Sequence, residues 1–149
     1  MKRSLAYLFF VLLVYIGYGW YLIFNRTPLT NSPMENFVYC GLCGGVGGVT
    51  YCLRGIYLNA CVRNNWSNSW LPWYFIRPIV SFICGVVSYL FLKTGLILLE
   101  AKQSDTTSNL ALYALAFIAG LNVDKFIEKI EGIAEATWGI KKSRASNND

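Results

Sequence analysis

Four stretches of this 149-residue chain contain no charged residue: 4–25, 36–53, 78–92 and 106–123. A helix that crosses a bilayer needs roughly 17–25 mostly apolar residues, each adding 1.5 Å of rise. The first, second and fourth stretches have that length. The third has it once its flanking aromatic residues and Lys93 reach the interfaces. The pattern predicts an all-α, integral membrane four-helix bundle, with spans at about 4–25, 36–61, 73–99 and 106–123. Residues 1–123 form the transmembrane domain, 124–140 a cytoplasmic amphipathic helix, and 141–149 a disordered tail.

Composition supports this class. Only 14% of residues are charged, against 55% hydrophobic, and a soluble domain carries about 25% charged residues. The chain has no His and eight acidic residues. That scarcity argues against an enzyme, a metal site or a bound cofactor. The net charge of +5 raises the question of nucleic acid. The bases sit mostly at the ends of apolar runs, where they act as topology signals, so a nucleic-acid partner is not expected.

Positive residues collect on the cytoplasmic side of a membrane. With the N-terminus inside and four spans, Lys2, Arg3, Arg54, Arg63, Arg77, Lys125, Lys129, Lys141, Lys142 and Arg144 lie inside. Arg26, Lys93 and Lys102 lie outside. This places the chain in a cell membrane, with both termini cytoplasmic. The run after Met1-Lys2-Arg3 exceeds the h-region of a signal peptide and ends in Tyr18-Gly19-Trp20-Tyr21, so it reads as an uncleaved anchor.

The second span is rich in glycine. Gly41/Gly45 and Gly44/Gly48 are small-xxx-small pairs, which let another helix backbone approach closely. They predict helix packing, within the bundle or between subunits. The third span is read as opening with Arg77-Pro78, since proline suits a first helical turn. The fourth is read as running without a break into the next segment. No broken helix is visible, which argues against a transporter.

In that next segment Val123, Phe126, Ile130, Ile133, Thr137 and Ile140 recur at heptad spacing. Asp124, Lys125, Glu128, Lys129, Glu131 and Glu135 share the other face. Four acids against two bases favour a protein contact over anionic lipid, so Phe126, Ile130 and Ile133 are candidate oligomerisation residues. Arg54, Arg63 and Arg77 fall at one depth near the cytoplasmic face. They are read as interface anchors or as a site for a lipid head group or other anionic ligand. Cys40-Gly-Leu-Cys43 has thiol-redox spacing, but inside a span it reads first as small apolar packing.

The order of features also resembles a known plan. The glycine-rich span ends in Leu53-Arg54-Gly55, a Trp-bearing hairpin leads to Arg77-Pro78, and Ala119-Gly120-Leu121 precedes Asp124-Lys125-Phe126-Ile127. This is similar to a four-span module of small bacterial inner-membrane proteins, some of which occur in phage-defence (antiviral) or toxin–immunity settings. The resemblance implies no catalytic residues. The expected function is a non-enzymatic, multi-pass protein. It self-associates through its Gly-rich span and heptad tail, and acts as a membrane effector, pore or partner anchor. The alternative is an immunity- or sensor-type protein that binds a partner in the bilayer.

Overall fold

The computed structural model describes residues 2–24, 33–93 and 105–140. The segment 25–32, the connection that holds Glu100 and Lys102, and the tail 141–149 lie outside them. The described residues form five α-helices and no strand: α1 Lys2–Phe24, α2 Pro33–Tyr57, α3 Leu71–Lys93, α4 Asp105–Leu121 and α5 Val123–Trp138. A π-helical turn, Leu58–Val62, and a short 3-10 turn, Asn68–Trp70, join α2 to α3.

Ring contacts fix the order of the bundle. Tyr7 meets Phe75 at 4.5 Å and Tyr15 meets Phe82 at 6.3 Å between centroids, so α1 runs parallel to α3. The Tyr113 hydroxyl donates to Asn36 Oδ1 at 2.9 Å, and Gly47 abuts Phe117 and Leu121. Thus α2 runs parallel to α4, and α2 is antiparallel to α3. Leu8, Val49, Cys52, Ile56 and Tyr74 form one buried cluster; Cys40, Tyr89 and Ala116 form another.

Apolar side chains cover the outside of the bundle as well as its core. Phe9, Phe10, Leu13, Ile16, Ile79, Ile83 and Ile118 point outward. Ser4, Ser81, Ser88, Asn59 and Arg77 are buried. Three helical segments, Arg3–Leu22, Met34–Val62 and Leu71–Lys93, are long and apolar enough to cross a membrane.

Two expectations are corrected. The third helix begins at Leu71, so Pro78 lies two turns inside it. The 3-10 turn at Asn68–Trp70 starts the helix early, and Pro72 occupies the first turn, where a missing N–H costs least. The fourth stretch does not continue straight. At Asn122 (φ −120°, ψ 55°) the axis turns by 107° between Leu110–Leu121 and Val123–Trp138. The break that the sequence did not reveal is therefore present.

Candidate functional site

Two features converge where α4 gives way to α5: a contact between glycine backbones, and a buried arginine.

The glycines of α2 face three neighbours. A Cβ on Gly44 would lie 2.5 Å from the Ser81 carbonyl oxygen and 2.7 Å from Gly85 Cα. One on Gly41 would lie 2.7 Å from the Phe82 ring, and one on Gly48 would collide with the Ser81 side chain. These three face α3. Gly45 faces α1, where a Cβ would meet the Tyr15 ring at 2.5 Å. Gly47 faces α4, against the Phe117 carbonyl and Leu121 nitrogen. The counterparts are Gly85 on α3, pressed on the Cys40 carbonyl, and Gly120 on α4, pressed on the Gly44 carbonyl. Ser81 Oγ donates to the Gly120 carbonyl at 3.0 Å and ties α3 to α4. Of the predicted packing residues, Gly44 and Gly48 share one partner helix. Gly41 and Gly45 divide between two.

Close approach of Gly44 and Gly120 brings the end of α4 against Arg77. The Arg77 side chain is 0% exposed. Its Nη1 donates to Asp124 Oδ2 at 3.0 Å, and its Nη2 to the Leu121 carbonyl at 3.5 Å. Its Nε is buried without an acceptor. The guanidinium lies 4.4 Å from the Tyr51 ring centroid and 4.8 Å from that of Trp73. This one side chain from α3 therefore meets the last turn of α4 and the first turn of α5. A cation suits the C-terminal end of a helix, where carbonyls lack helical partners. Asp124 suits the start of α5 for the converse reason.

Arg54 and Arg63 are exposed, so the three arginines named from sequence occupy different environments. The partners of Arg77, namely Asp124, Tyr51, Trp73 and the Leu121 carbonyl, were not foreseen. One signal was present: Arg77 immediately precedes one charge-free stretch, and Asp124 immediately follows another.

Beyond the elbow, α5 buries Val123 and Phe126 in a cluster with Cys84 and Ala119, against which Ile130 packs. Phe126 thus spends its surface inside its own chain. Ile133 is half-buried, while Ile127, Trp138 and Ile140 are exposed. Gly139 closes the helix at φ 68°, and its N–H donates to the Glu135 carbonyl at 3.0 Å. All five cysteines are free. Among the described residues no group of His, Cys, Asp and Glu is arranged to hold a metal.

Comparison with family models, with curated proteins and with solved structures finds no match to this chain.

Proposed function

We propose that this chain is a non-enzymatic, multi-pass protein of a bacterial inner membrane that anchors a protein partner through α5. The apolar exterior supports residence in lipid, where outward apolar residues cost nothing and inward polar ones need partners. The 17 residues from Arg77 to Lys93 make about 25 Å of helix, close to a hydrocarbon core of about 30 Å. Trp73, Tyr51 and the nearby Trp66 and Trp70 then form an aromatic belt at one interface. The bent pair α4–α5 supplies the fourth crossing and ends at that belt, on the same side as the N-terminus. The excess of Lys and Arg makes this side the cytoplasm.

One observation favours anchoring over pore formation. The chain's own helices fill the glycine faces, whereas most of α5 beyond Phe126 is not covered by the bundle. Among the described residues, backbones that touch at Gly44, Gly85 and Gly120 favour close packing of α2, α3 and α4 over a channel between them. Self-association through the glycines would require opening contacts already made. Assembly, with a second copy or with another protein, falls to α5.

The test is crosslinking in native membranes through a photoreactive residue at the exposed Ala136, followed by mass measurement of the adduct. A single adduct, lost when Glu131 and Glu135 are reversed to Lys, supports anchoring. Protein that stays uncrosslinked at every exposed α5 position ends it.

A further inference from the structure

The Arg77 guanidinium is incompletely satisfied. Arginine presents five N–H donors, and the structure gives this one two oxygen acceptors, one of them at 3.5 Å. Its Nε is buried and unpartnered. A buried donor without an acceptor is costly, so acceptor oxygen belongs at this position. The cover over the guanidinium is one side chain thick. Asp124 is 67% exposed, and Tyr51 and Trp73 are 38% and 44% exposed. Asp124, being mostly exposed, can rotate away, and the Tyr51 and Trp73 rings pack against the guanidinium at 4.4 and 4.8 Å. A forked oxyanion suits the N–H edge that Asp124 would vacate.

We propose that this elbow binds the phosphate of an anionic lipid, which takes the place of the Asp124 carboxylate on Arg77. The inference rests on the membrane placement above. At the depth of Trp73 and Tyr51, lipid phosphates are the most abundant oxyanions, and phosphate matches the bidentate geometry of arginine. The first turn of α5 adds N–H groups and the positive end of a helix dipole. Asp124 then acts as an internal competitor: it holds Arg77 when no lipid is bound and swings to water when one is.

This gives an unusual expectation. Removing a carboxylate from the site tightens the binding of an anion. The full chain is reconstituted in nanodiscs of phosphatidylcholine with increasing phosphatidylglycerol, and retained lipid is counted by native mass spectrometry. Wild type is expected to retain one phosphatidylglycerol. Asp124→Asn should hold it about tenfold more tightly, the worth of one charged hydrogen bond. Arg77→Gln should lose it, and Arg77→Lys, with charge but no fork, should fall between them. Equal retention by Asp124→Asn and wild type overturns the proposal, even if Arg77→Gln fails to fold. So does displacement of the lipid by millimolar inorganic phosphate, which would make free phosphate the ligand. Carbonate extraction of the same membranes separates the two failures: a chain released by carbonate refutes the membrane placement itself, whereas a retained chain without lipid preference refutes only this site.

Discussion

Arg77 and Arg54 show how much a single residue's role depends on what lies across the bundle. Both are arginines at the edge of an apolar run, yet one is buried and the other exposed. The difference comes from Asp124, 47 residues further along the chain, which no local pattern ties to either arginine. Breaking a buried ion pair by removing one partner costs about 3–5 kcal/mol when the remaining charge is trapped. Asp124→Ala leaves Arg77 buried and unpaired and should lie in that range, whereas Arg77→Gln leaves the mostly exposed Asp124 to water and should cost less. Thermal unfolding in detergent is expected to show Asp124→Ala and Arg77→Gln both destabilised, with the double mutant less affected than the sum of the two. Additive losses would mean that the pair does not couple. The glycines offer a sharper comparison. Gly44→Ala places a methyl against the backbone of α3 and should cost about 1–3 kcal/mol, as overpacking does. Gly132→Ala meets nothing within 4 Å and should stabilise α5 by about 0.5–1 kcal/mol. Melting temperatures of the two variants should therefore move in opposite directions.

At the scale of the element, the helices were legible and the elbow was not. Charge-free runs with turn residues between them define helices well, because a backbone in lipid must satisfy its hydrogen bonds internally. The elbow has no such mark. Asn122 is neither proline nor glycine, and its side chain makes no capping hydrogen bond to α5. The break arises instead from tertiary contacts: Gly120 seated on Gly44, Ser81 bonded to the Gly120 carbonyl, and Arg77 bridging the two helices. The early start of α3 has a related cause: Pro78 suits a first turn by its place in the sequence, but Pro72 fills that role. The glycine motif revealed that α2 packs closely. It did not reveal that three different helices share its faces. A consequence follows for capping. Replacing an Asn cap by Ala ordinarily costs about 1 kcal/mol, but Asn122→Ala should be nearly neutral here. Gly139→Ala, at φ 68°, should cost about 1 kcal/mol, because an L-residue resists that conformation. Circular dichroism through a thermal melt would detect both. A large loss in Asn122→Ala would show that its side chain holds the bend.

For the whole molecule, the decisive quantity is the side of the membrane on which each end lies. The chain contains its own reporter. Cys61 is exposed in the turn between α2 and α3, while Cys40, Cys52 and Cys84 are buried. If α1 and α2 cross in turn from a cytoplasmic N-terminus, Cys61 faces the cytoplasm. A membrane-impermeant maleimide should then label it in inside-out vesicles and not in intact spheroplasts, and Cys61→Ser should abolish the signal. The elbow makes the second half of the test informative. A 107° turn brings α5 close to the membrane plane when α4 crosses upright, so α5 ends on the side that α4 has reached. A cysteine introduced by Ser146→Cys into a Cys61→Ser background should then react from the same side as Cys61 does in the wild type. Reaction from the opposite side would mean that α4 enters and returns without crossing. The three long apolar helices would then be the only spans, and α5 with its four acids would face the exterior. Arg77 would still pin the elbow in that arrangement, but the partner and the lipid leaflet assigned to it would both be wrong.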